Sequence, residues 1–152
     1  MGSMLPDVEI PIMLLLFGTQ APNRMILHSL LGAATVGTVL GAAITVWIYP
    51  TLASAIFPVS KLKVKEKCSL SIGLAFSCLI GVLSHVLLDV TNHAYNPVFW
   101  PFLGLNDTPS PITPFLGGAT TASVIIHALM AVAFVGLFIR KRENFWEQLL
   151  VE

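Results

Sequence analysis

The segment Ser69–Asn92, SLSIGLAFSCLIGVLSHVLLDVTN, carries no charged residue until Asp89. A helix needs about 20 predominantly apolar residues to cross the hydrocarbon core of a bilayer, and this segment has that length. Two neighbouring runs read the same way, because no Asp, Glu, Lys or Arg occurs from Met25 to Ser60 or from Thr108 to Ile139. With Pro50 ending or kinking the first run and Arg140-Lys141-Arg142 stopping the last, the expected spans are about 25–49, 69–92 and 117–139. The apolar piece Ile10–Phe17 is too short to cross and is expected to be re-entrant or interfacial. The fold class is therefore all-α, a single membrane-embedded helical bundle over 4–152 with three long spans and this short N-terminal segment. Met1-Gly2-Ser3, followed by a second Met4, has the look of a cloning remnant and is set aside.

Composition agrees. The 152 residues are 55% hydrophobic and only 11% charged, where a soluble domain carries about 25% charged residues. Net charge is zero, so there is no basic field for nucleic acid. No basic region precedes the first apolar stretch, so no cleavable signal peptide is expected. Cys68 and Cys78 are placed on one helix, roughly 15 Å apart at 1.5 Å per residue, too far for a disulfide.

Charge also orients the chain. Seven of the eight Lys and Arg residues fall in two clusters, 61 to 67 and 140 to 142. Three alternating spans put both clusters on one side, expected to be cytoplasmic. The N-terminal segment, the start of the first span, the end of the second and the loop 94–116 then share the extracytoplasmic side. That loop holds Tyr95, Phe99, Trp100 and Phe102 among five prolines, which exclude a regular helix and suit an interfacial position. Glu143–Glu152 is expected to form a short amphipathic helix on the membrane surface.

Ionisable residues inside spans are costly and tend to be functional. His85, Asp89 and His93 are spaced i, i+4, i+8, which brings neighbours in that series to one helix face. Imidazole and carboxylate on one face suit a divalent metal; a neutral histidine paired to Asp89 as a buried packing bond is the plain alternative. Ser29, Ala33, Gly37 and Gly41 form a small-residue ridge, read as a helix-packing surface. His127 lies on a small-residue face of the third span, as a ligand or as a core histidine bonded to a serine or backbone carbonyl. The charge-derived topology gathers Asp7, Glu9, His28, His85, Asp89 and His93 at one membrane face, the donor mixture that hydrolytic metal sites use.

The blocks Leu5-Pro6-Asp7-Val8-Glu9, His28-Ser29-Leu30-Leu31-Gly32, Ser84-His85-x-Leu87-Leu88-Asp89 and Phe99-Trp100-Pro101-Phe102 resemble the YdjM-like predicted membrane-bound metal-dependent hydrolases of prokaryotic inner membranes. The resemblance covers Leu5 to Phe102, the third span matching only in hydropathy. It implies that Asp7, His28, His85 and Asp89 occupy the family's proposed metal-binding positions. Where the family shows Asp-x-Asp, this chain has Asp7-x-Glu9.

Together these readings lead to a multi-pass plasma-membrane hydrolase. A divalent metal, zinc in the first place with manganese or iron as alternatives, would be held by Asp7, His28, His85 and Asp89 and would activate a water against a phosphoester. Glu9 or His93 is the candidate general base or acid. The aromatic loop above the site favours membrane lipids as partners and a lipid or lipid-linked substrate. An oligomeric ion or proton transport module, or a non-catalytic scaffold with a structural polar cluster, is the competing reading.

Overall fold

The computed structural model describes residues 2–19, 22, 24–106, 108–141 and 145–150, without the side chains of 147 and 148. Among these residues the secondary structure is helical, with one isolated bridge between Tyr95 and Pro109. Helix α1 is Leu5–Phe17, and three helices are long and apolar enough to cross a membrane: α2 (Leu30–Trp47), α5 (Ile72–Asn92) and α6 (Ala119–Arg140). Between the first two lie α3 (Tyr49–Ile56) and α4 (Lys61–Lys67), and α7 (Phe145–Leu150) follows the last.

The small-residue ridge of α2 meets α5. A Cβ on Gly37 would lie 3.5 Å from the Val82 side chain and one on Gly41 3.6 Å from Cys78. In lipid no hydrophobic force drives such a pair together, so close backbone approach and dispersion hold it. Leu5, Ala33, Val82 and Val86 form the buried centre of this contact, with Leu27, Leu30, Ile44 and Leu83 around it. The core therefore lies directly beneath the titratable ends of α1, α2 and α5. A turn of π-helix, Ala33–Gly37, interrupts α2.

Three expectations change. First, α2 begins at Leu30 rather than near 25, because the backbone N–H groups of Met25, Ile26 and Leu27 bond to the Glu9 carboxylate instead of joining a helix. Ser29 then caps the helix, accepting from Gly32 N–H at 3.0 Å. Gly32 is indispensable to this turn: a Cβ there would lie 1.9 Å from the Ile26 carbonyl oxygen. Second, Gly2 and Ser3, set aside on sequence, pack into the bundle. Gly2 is buried against Cys78, and a Cβ on Gly81 would come within 3.0 Å of Ser3 N. Third, Cys68 caps α4 while Cys78 sits in α5; both are free and buried.

At the other end, Ala53, Val64 and Cys68 form a small apolar cluster between α3 and α4. Trp146 of α7 stacks 4.5 Å from Phe57, and Tyr49 Oη donates to the Leu150 carbonyl at 3.2 Å. The lysine-bearing α4 and the C-terminal end of α6 thus share one end of the molecule. The expected C-terminal helix is present over Phe145–Leu150, whereas 142–144 and 151–152 lie outside the described residues. The loop 94–116 is tied down by its own hydrogen bonds, Asn96 N to Thr108 O and Ser110 N to Ala94 O, and by Leu30 N–H donating to Val98 O. It covers an apolar cleft of about 300 Å³ bordered by Leu30, Ala34, Val98, Phe99 and Trp100.

Candidate metal centre

Three segments distant in sequence supply the centre. The first two turns of α1 carry Asp7 and Glu9, the turn before α2 carries Arg24 and His28, and the last two turns of α5 carry His85 and Asp89. His28 is 1% exposed. Its Nδ1–H donates to Glu9 Oε2 at 2.9 Å, which leaves Nε2 as an acceptor facing Asp89 Oδ2 at 3.6 Å. His85 is arranged likewise. Its Nδ1–H donates to the Ser3 carbonyl at 2.6 Å, and its Nε2 faces Asp7 Oδ1 at 3.5 Å and Asp89 Oδ2 at 3.7 Å. The two imidazole rings meet edge to face, 5.7 Å between centroids.

His28 Nε2, His85 Nε2 and Asp89 Oδ2 are buried without a hydrogen-bond partner. Acceptors left unpaired together are expensive, and a cation satisfies them all at once. Asp7, His28 and His85 each present one donor atom to a common point, all within 4.8 Å of one another. Ligands about 2.05 Å from a tetrahedral ion stand about 3.3 Å apart. The histidine–carboxylate separations of 3.5 to 3.7 Å exceed that by a few tenths of an ångström, whereas the 4.8 Å span of the Asp7, His28 and His85 donors is wider, so these side chains would close in around an ion. Charge matches as well: Asp7, Glu9 and Asp89 against Arg24 leave a formal −2 around the two imidazoles. The four residues named for the metal are therefore near one another: Asp7, His28 and His85 form a group that could hold a metal ion, and Asp89 lies beside both histidines.

Glu9 and His93, expected to handle protons, are placed differently. The Glu9 oxygens accept from His28 and from the N–H groups of Met25, Ile26 and Leu27. Burial alone would push its carboxyl up, but the bonds from His28 and from the Met25 and Leu27 N–H groups outweigh that and hold it below its ordinary value. Glu9 orients a histidine and closes the 25–28 turn, with no oxygen left aimed at the donor cluster. His93 Nε2 accepts from Arg24 Nη2 at 2.7 Å and lies 3.7 Å from Asp89 Oδ1. Burial first, then the Arg24 charge, push its imidazole below its ordinary value against the pull of Asp89.

Two participants were not anticipated. Arg24 is the one Lys or Arg residue outside the two orienting clusters, and that isolation is the signal the sequence offers. Ser3 acts through its backbone carbonyl, which leaves no mark in the residue type. His127 lines the same cavity of about 390 Å³ as Asp7, Arg24, His85 and Asp89. Its Nδ1 lies 2.7 Å from the Ser123 carbonyl of its own helix, so it is held locally and does not join the donor cluster.

Comparisons with curated proteins and with solved structures return no match. The family model described as YdjM inner membrane protein matches residues 1–151. That match runs through the third span and the C-terminal helix as well as the site-bearing segments, and the chain belongs to the YdjM inner membrane protein family.

Proposed function

We propose that the protein is a membrane-bound metal-dependent hydrolase acting on a phosphoester of a lipid or lipid-linked substrate at the membrane interface. The observation that carries this reading is the convergence of His28 Nε2, His85 Nε2 and Asp89 Oδ2, buried and unpartnered, with Asp7 Oδ1 beside them. A divalent ion bound there, zinc being the best match to two imidazoles and carboxylates, supplies Lewis acidity and lowers the pKa of a bound water to about 7.

The protein's own groups prepare the site. Glu9 and the Ser3 carbonyl each accept a hydrogen bond from the Nδ1–H of a histidine, fixing the tautomer in which Nε2 points inward. Asp89 stands between both histidines and so ties α5 to the turn before α2. Asp7, with its side chain 59% exposed, sits at the rim where a ligand can approach. The opposite end holds the basic clusters, so the positive-inside rule supports an extracytoplasmic site.

Metal analysis of the purified protein and of His85→Ala, combined with hydrolysis of a short-chain phospholipid, tests the reading. We expect near-stoichiometric metal in the wild type and its loss together with activity in the variant. Undiminished hydrolysis in both His85→Ala and Asp89→Ala would sink it.

A further inference from the structure

Arg24 has no topological reason to be where it is. It is the only basic residue between Met1 and Ser60, and it lies partly buried at the end of the molecule away from the basic clusters, its side chain 20% exposed. Its Nη2 donates to His93, while its Nε stands 3.9 Å from Asp89 Oδ2, too far for a hydrogen bond, and is buried without a partner. A guanidinium offers five N–H donors in a rigid fork that matches the oxygens of a phosphate. Here one arm is anchored and Nε is left unsatisfied.

The cavity beside it has two kinds of wall. Arg24, Asp89, Asn92 and His93 are polar, and Asn92 Oδ1 is likewise buried without a partner. Leu88, Ile126 and Met130 are apolar, the last two on α6, a helix whose apolar stretch is only 6% buried by the rest of the chain. In a membrane that exposure places α6 among acyl chains. The cavity of about 390 Å³ is suited to a phosphorylated head group but not to a whole lipid, so a longer tail has to lie along α6 in the bilayer.

We infer that Arg24, anchored by His93, is the oxyanion-recognition residue of this site, and that its ligand is the phosphate of an amphiphile entering sideways between α5 and α6. This rests on the hydrolase reading above. A divalent ion would bring the three carboxylates and Arg24 to a formal zero, so an anionic head would be met by the directed N–H groups of the guanidinium rather than by a net positive field. His93 is a positioning residue: it holds the fork by one nitrogen and leaves the rest for the ligand.

The test titrates dodecyl phosphate and, separately, inorganic phosphate into wild type, Arg24→Gln and Arg24→Lys in a neutral maltoside detergent. Binding is read by calorimetry, with metal content measured on the same samples. Wild type should bind dodecyl phosphate at least about tenfold more tightly than inorganic phosphate. Arg24→Gln should lose about tenfold or more of that affinity with its metal retained, and Arg24→Lys, which keeps the charge but not the fork, should fall between. Wild-type affinity in a metal-replete Arg24→Gln overturns the inference. Equal binding of the two phosphates by wild type overturns the lateral, amphiphilic part of it. Should Arg24→Gln fail to fold, Arg24→Lys decides, since affinity equal to wild type would mean that the fork has no role. A wild type that holds no metal would overturn the hydrolase reading instead, and loss of dodecyl phosphate binding on replacing Arg24 would then still mark an anion site.

Discussion

Helices α5 and α6 look alike on paper. They have 21 and 22 residues, both are apolar enough to span, and each carries one histidine. Packing separates them: 22% of the apolar stretch of α5 is buried within the chain against 6% for α6. His85 of α5 takes its Nδ1 partner from Ser3, far away in sequence, and turns Nε2 toward carboxylates on two different elements. His127 of α6 is served by Ser123 four residues back on its own helix. Both rings are oriented through Nδ1 by a backbone carbonyl; what separates them is that His85 Nε2 has two carboxylates 3.5 and 3.7 Å away and belongs with Asp7 and His28 in one donor group, which His127 does not.

Four changes probe this contrast. The largest effect is expected for His85→Ala, which removes a ligand outright and should lower metal affinity by more than the roughly 10–100-fold that outer partners contribute; metal analysis after dialysis measures it. Next is Gly32→Ala. Its Cβ would collide with the Ile26 carbonyl 1.9 Å away, so the 25–28 turn must open, at a cost of roughly 3 kcal/mol, read as a lower melting temperature and weaker metal retention. Glu9→Gln should follow. A neutral amide sets its NH2 against backbone N–H groups and gives up the carboxylate that holds His28, so metal affinity should drop about tenfold or more; competition with a chromogenic chelator reports it. His127→Ala should be the mildest, leaving metal content unchanged and stability within about 0.5 kcal/mol. If His127→Ala instead strips the metal, the distinction between the two histidines collapses.

The spans were legible because hydropathy and charge act over whole turns of helix, and insensitivity to detail is what makes that signal strong. The start of the first span was not legible, since Glu9, from a separate helix, captures the N–H groups of Met25, Ile26 and Leu27. Asp7, His28, His85 and Asp89 were recognisable as chemically apt residues, and the structure gathers them. The division of labour among carboxylates was hidden: Asp7-Val8-Glu9 reads as an acidic pair, yet one member faces the donor cluster and the other the backbone. Ser3 was invisible because its carbonyl matters and its side chain does not.

Hydropathy and charge along the chain are enough to establish a helical membrane protein with three spans, its basic clusters at one end and three of its four histidines with Asp7, Glu9 and Asp89 at the other, because bilayer insertion is decided by composition summed over some 20 residues. Only the tertiary structure decided which nitrogen of each histidine faces inward, which carboxylate is left unpaired, and that Arg24 stands beside them. Those outcomes depend on hydrogen bonds between segments up to 82 positions apart, and no local pattern along the chain encodes where such partners meet.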